Sequence, residues 1–194
     1  MNIKKKYISY SSLENKNIFG IWVYLMSDCI IFAILFVVHI IMSRHGYDNF
    51  LQENHLFSWF IIFLETLILL FSALSCSLVK YFLHKHSKKY MLIFLLITFF
   101  LGSIFLSLEY FEWLHMFNKG FYPTVNGYLS SFFTVLAIHG LHIIFGLLWI
   151  LILIIQILIF DFKNFVNVSV ICFCLFWHFI DIIWMILLMC IYFK

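Results

Sequence analysis

Eight ionisable side chains lie inside stretches otherwise built from aliphatic and aromatic residues: Asp28, Glu65, Glu109, Glu112, His139, His142, His178 and Asp181. Their spacing groups them. His139-Gly140-Leu141-His142 puts two imidazoles on one helical face, and Glu109/Glu112 and His178/Asp181 share the same i,i+3 spacing. Such sets offer metal ligation, proton relay, or hydrogen bonds that hold helices together. Glu112-x-x-His115 matches half of a di-iron helix motif, but that chemistry needs the motif on two helices plus two further glutamates, and a second copy is missing. Two histidines at equal depth, His139 or His142 against His178, could hold a haem from both faces. Against this, His178 has Asp181 as a partner, and the aromatic fifth stretch has no glycine to clear space for a ring. Polar contacts between helices, without a cofactor, remain the simplest use of these groups.

The surroundings decide what such groups must do. The chain has 194 residues, is 65% hydrophobic and only 11% charged, and has a mean hydropathy of +1.07. A soluble domain carries about 25% charge, so this composition is that of an all-α integral membrane protein. Five apolar runs exceed the roughly 20 residues needed to cross the hydrocarbon: about 18–42, 57–79, 90–114, 128–160 and 165–193. The runs lack the period-two alternation of a membrane barrel. The first is too long for a signal-peptide core and is expected to be retained. One membrane domain over 1–194 is expected, with short connections making sequence neighbours antiparallel neighbours in space. The net charge of +3 forms no basic groove, so nucleic acid is excluded as a partner. The five cysteines all lie in apolar runs, are odd in number and lack Cys-x-x-Cys spacing, which makes them packing residues. His84-Lys85-His86 is read as part of a solvated basic loop.

Orientation follows from the cations. Lys4, Lys5, Lys6, Lys16, Lys80, Lys85, Lys88, Lys89 and Lys163 fall on one side, and Arg44, Lys119 and Lys194 on the other. The positive-inside rule puts the N-terminus in the cytoplasm and the C-terminus outside.

An acid at the middle of a span costs about 2.5–3.5 kcal/mol on insertion scales, so these acids must face the bundle interior and be paired or neutralised. His139 and His178 lie at similar depth, and Glu109 is closer to the outer end of its span. The expectation is a polar lock of Glu109, Glu112, His139, His142, His178 and Asp181 that ties spans three, four and five. Asp28 stands apart from these clusters. It is a candidate proton relay, or a lipid or partner contact, or a protonated acid bonded to a neighbouring serine.

With these residues laid out, the chain resembles subunit III of the haem-copper terminal oxidases. The matching stretches are Leu25-Met26-Ser27-Asp28, Glu109-Tyr110-Phe111-Glu112, His139-Gly140-Leu141-His142, and Trp177-His178-Phe179-Ile180-Asp181 with Trp184. Five spans are similar to the bacterial members. Asp28, where mitochondrial-type members carry glutamate, resembles the bo-type, ubiquinol-oxidising branch. The resemblance implies a non-catalytic accessory subunit of a proton-pumping oxidase in the bacterial inner membrane. It implies partnership with the catalytic subunit I, which carries the haems and copper, and with the other oxidase subunits. It further implies no cofactor in this chain, a V-shaped arrangement of spans 1–2 against spans 3–5, bound phospholipid in the cleft, and Asp28 facing subunit I across that lipid. The alternatives are subunit III of a cytochrome c oxidase, a membrane b-type cytochrome with bis-His haem, and a channel or transporter that uses the polar network as a relay.

Overall fold

The computed structural model describes residues 2–46, 59–85, 87–160 and 164–192. Five helices account for almost all of them: α1 Asn2–Gly46, α2 Trp59–His84, α3 Lys88–Asn118, α4 Gly127–Phe160 and α5 Asn164–Tyr192. Each contains a stretch long and apolar enough to cross a membrane, and no strand occurs among the described residues. The helices outrun the apolar spans because hydrogen bonding continues past the first polar residue. The extreme case is α1, which starts at Asn2, well before its apolar stretch. His86 lies outside the described residues, and so does the side chain of His84. The Lys85 ammonium lies 4.6 Å from the centre of the Tyr81 ring.

The centre of the bundle is α5. In its most apolar window 56% of residues are buried, against 28–33% in the other four. It packs on α1, α2 and α4. The most extensive helix contact is α2 with α3, and α4 also packs on α1 and α3. No α1–α2 contact is present among the described residues, which corrects two expectations. The first two spans are not spatial neighbours, and they do not form one arm of a V. Instead α1 lies along α4 and α5 while α2 lies along α3 and α5, so the five spans form one interleaved bundle.

The α1 seam shows how sequence becomes packing. Leu25, Asp28, Phe32, Phe36, His39 and Ser43 are buried and recur every three or four residues, which makes one helical stripe. Between these positions most apolar residues from Phe19 to Met42 are exposed, as lipid contact requires. The α3–α4 turn is closed by Gly120, whose φ of +85° is the left-handed conformation favoured after a helix end. Phe121 N–H donates to the Met116 carbonyl and Gly120 N–H to that of Phe117. Phe117 stacks on both Tyr122 and Phe133, which fastens the turn to α4.

Two layers cross the bundle at mid-span. The first is built on Trp177 of α5, which is 1% exposed. Its ring fills a slot between Gly102 of α3 and Gly146 of α4. A Cβ on Gly102 would come within 3.0 Å of the ring, and one on Gly146 within 2.8 Å. The indole N–H donates to Ser72 Oγ of α2 at 3.1 Å. Close by, Ser75 and Thr98 share a 2.7 Å hydrogen bond, and the free thiols of Cys76 and Cys174 are 3.3 Å apart. The second layer lies seven residues along each of the same four helices: Glu65, Glu109, His139 and Trp184. That is two turns, about 10 Å.

Candidate functional site

The second layer gathers the deepest polar groups. His139 is completely buried, stacked on the Trp184 ring at 5.2 Å and edge-on to Phe105 at 6.1 Å. Glu109 is 4% exposed and Glu65 1%. Glu109 lies against α4 where Gly140 leaves room, and a Cβ there would be 3.4 Å from Glu109 Oε2. Glu65 stands within electrostatic reach of Glu112 and Glu109, so three carboxyl groups from α2 and α3 share this depth. Sequence reasoning noted Glu65 among the membrane acids but did not join it to Glu109 and Glu112, because they lie on different helices.

These groups are gathered but not paired. Both ring nitrogens of His139, both carboxyl oxygens of Glu109, Glu65 Oε1 and Trp184 Nε1 have no hydrogen-bond partner among the described residues. The expected lock of spans three, four and five through carboxylate–imidazole hydrogen bonds is therefore replaced by a different set of contacts. His142 turns away from α5 and meets α1. Its Nδ1–H donates to the Ile138 carbonyl at 2.7 Å, and its Nε2 lies 3.4 Å from Asp28 Oδ2. Asp28 is thus not isolated from the histidines. It is 5% exposed, receives a hydrogen bond from the Tyr24 hydroxyl, and faces inward, toward α4. The reason is helix order, since α4 packs on α1.

The chemistry of this pair is defined by its proton count. Because Nδ1 donates to a carbonyl, Nε2 of a neutral His142 presents a lone pair. A carboxylate can face it favourably only if the pair holds one further proton, on the imidazole or on the carboxyl. The 3.4 Å contact lacks hydrogen-bond geometry, and Oδ2 has no hydrogen-bond partner.

His178 is also placed differently. Its Nε2 is 3.2 Å from Ser77 Oγ of α2, and its Nδ1 is 3.9 Å from Asp181 Oδ2 on its own helix. The imidazole is well exposed, at 39%. So His178 joins α5 to α2, whereas His142 joins α4 to α1. Of the three histidines considered for a haem, only His139 keeps both nitrogens uncommitted, and it is enclosed by aromatic rings. No group of three or more His, Cys, Asp or Glu among the described residues could hold a metal. His39, absent from the sequence-based set, is buried on α1 and lies 3.0 Å from Ser131 Oγ of α4. The signal for it was the α1 stripe, in which it lies three turns beyond Asp28.

Comparison with known proteins accords with this architecture. The sequence model of the family described as cytochrome c oxidase subunit III matches residues 11–194. A protein of Buchnera aphidicola subsp. Baizongia pistaciae named cytochrome bo(3) ubiquinol oxidase subunit 3 is 42% identical over 193 residues, 98% of this chain and 97% of the relative. A protein of the same name from Buchnera aphidicola subsp. Acyrthosiphon pisum is 44% identical over 171 residues, 88% of this chain and 83% of its own length. Another from Pseudomonas aeruginosa is 37% identical over 175 residues, 90% and 83% of the two chains. With five apolar helices and a family match along nearly its whole length, this chain belongs to the subunit III family of the haem-copper oxidases.

Proposed function

We propose that the chain is a non-catalytic accessory subunit of a proton-pumping, oxygen-reducing haem-copper ubiquinol oxidase of the aerobic respiratory chain. The observation that carries the reading is near full-length similarity to relatives named ubiquinol oxidase subunit 3. In this reading the haems and copper belong to the catalytic subunit I. This chain supports that subunit, joins the other oxidase subunits and holds phospholipid. The whole chain forms one multi-pass domain of a bacterial inner membrane. The cation distribution favours a cytoplasmic N-terminus and a periplasmic C-terminus.

The polar residues then serve assembly rather than turnover. Asp28 with His142, and His39 with Ser131, fasten α1 to α4, and His178 fastens α5 to α2. Glu109, Glu112 and His139, with Glu65, fill the layer between α2, α3 and α4. Asp181 supports His178. The exposed apolar faces of α1 give subunit I and lipid a surface to cover.

The test is purification of the tagged chain in mild detergent from cells that carry the rest of the complex. A haem-bearing, quinol-oxidising assembly should come with it, and the chain expressed alone should show no Soret absorbance. Stoichiometric haem in the isolated chain would overturn the reading in favour of a b-type cytochrome. Proton or ion flux through the chain reconstituted alone would favour a channel.

A further inference from the structure

Beyond the contacts that pack α3 on α4, the two helices leave open space between them. An apolar groove of about 450 Å³ runs between them, lined by Glu109, Tyr110 and Trp113 on one side and by Ala137, Gly140 and Leu141 on the other. A groove between membrane helices that is closed by hydrocarbon alone would hold an acyl chain. This one also contains two groups that an acyl chain cannot satisfy. Glu109 has both carboxyl oxygens without a partner among the described residues, and Trp113 has its Nε1–H unmet in the same way. Glu109 is held at the floor of the groove because Gly140 gives it room.

An unmet acceptor and an unmet donor therefore line one groove, four residues apart on one helix, which is about 6 Å along the axis. Their depth narrows the occupant. Glu109 lies five residues inside the Leu114 end of its apolar run, about 8 Å at helical rise. A phospholipid headgroup resides outside the apolar run, beyond that depth. A polar ring attached to an apolar tail reaches it readily. The ring must offer a hydroxyl to Glu109 and an oxygen to the Trp113 N–H from opposite ends, and para-substitution provides that. The carboxyl presents an acceptor oxygen whether or not it carries a proton.

We infer that the α3–α4 groove is a binding site for an isoprenoid para-quinol or its quinone, with Glu109 accepting from a ring hydroxyl of the quinol, or donating from a protonated carboxyl to a ring carbonyl of the quinone, and Trp113 Nε1 donating to the other ring oxygen. The site binds and orients; it requires no electron transfer within this chain. It rests on the reading of the chain as a quinol-oxidase subunit, and it adds a quinone site on this subunit to whatever site feeds the catalytic one.

The probe is an azido-ubiquinone analogue, photolysed with the intact complex in native membranes. Label should appear in this chain within 106–113 and 137–144, and excess ubiquinone should compete it away. Ala137→Phe, which fills the groove, should abolish that label. Glu109→Leu should weaken competition by ubiquinone about tenfold, the scale of one lost hydrogen bond. Where Ala137→Phe fails to assemble, Leu141→Trp at the exposed lip serves instead, and competition in the unaltered complex needs no variant. Label confined to other subunits, label that survives the groove-filling change, or label displaced by phospholipid but not by ubiquinone would each overturn the inference. Failure of the chain to copurify with a haem-bearing complex would overturn the underlying reading, and the two failures are read separately.

Discussion

The Trp177 layer and the His139 layer use the same four helices, seven residues apart on each, yet they satisfy opposite rules. In the first, Ser72 of α2 accepts the indole hydrogen bond while Gly102 and Gly146 give up side chains so that Trp177 can enter. Every partner fits another. In the second, Glu65, Glu109, His139 and Trp184 bring six buried polar atoms together without a hydrogen bond among the described residues. In a bilayer a closed layer contributes packing and satisfied polar contacts. A layer of unmet groups costs stability unless water, ligand or partner supplies what is missing. The first layer therefore contributes to holding the bundle together, and the second leaves polar groups whose partners the described residues do not supply.

Trp177→Ala is the strongest way to break this comparison. It empties the slot between two glycines and removes the indole donor from Ser72 Oγ, which keeps its own hydrogen bond to the Leu69 carbonyl. Loss of a buried large aromatic costs about 3–5 kcal/mol, so unfolding of the full chain in mixed detergent should shift strongly to lower denaturant. A small shift would mean that the layer collapses and carries little of the stability. Gly146→Val probes the same slot from the other side. A Cβ would meet the ring at 2.8 Å, and overpacking costs about 1–3 kcal/mol. Behaviour like the unaltered chain would show that α4 can move away from α5 at that point.

The α1 seam gives a test of intermediate size. Asp28→Ala removes the carboxyl that lies 3.4 Å from His142 Nε2, and loss of a polar side-chain contact in a membrane bundle costs up to about 1.7 kcal/mol. Asp28→Asn should recover much of that loss, because its amide can donate to the Nε2 lone pair. Retention of the chain in the complex on heating measures both. Equal loss with Asn and Ala would show that the extra proton must reside on His142, where an amide cannot replace a carboxylate.

Asp181→Ala should have a smaller effect than the sequence implied. From spacing alone Asp181 looked like the buried partner without which His178 is stranded. In the structure the two are 3.9 Å apart, and His178 has Ser77 as a second partner. Polar side-chain contacts in membrane bundles average about 0.6 kcal/mol, and that is the expected loss on unfolding the chain. A loss as large as that of Asp28→Ala would restore Asp181 to a structural role.

How much was legible follows from what each feature depends on. Span number depends on composition, and all five apolar runs became helices, with Lys80 in α2 and Asn118 in α3 showing how far hydrogen bonding continues past the apolar stretch. Helix adjacency depends on surface shape across the whole bundle. Asp28 was therefore read as alone although α4 supplies His142, and Glu65 was not joined to Glu109. Gly102 and Gly146 were the readable trace of the Trp177 slot, since small residues at mid-span mark close approach. What could not be read in advance was which ring fills the slot, because it comes from a third helix.

His139→Leu is the smallest expected change in stability and the sharpest test of the comparison. Leucine has nearly the same volume, and it removes two buried nitrogens that have no partner. The loss is the stacked Trp184 contact and the edge of Phe105, worth about 1 kcal/mol. The gain is release from unmet desolvation, about 1–3 kcal/mol for such a group. The balance lies between no change and a net stabilisation of the isolated chain. A destabilisation on the scale of Trp177→Ala would mean that the nitrogens are satisfied within the chain by ordered water, and the two layers would then obey one rule. Unchanged stability combined with weakened retention in the complex would place the missing partners of the His139 layer outside this chain.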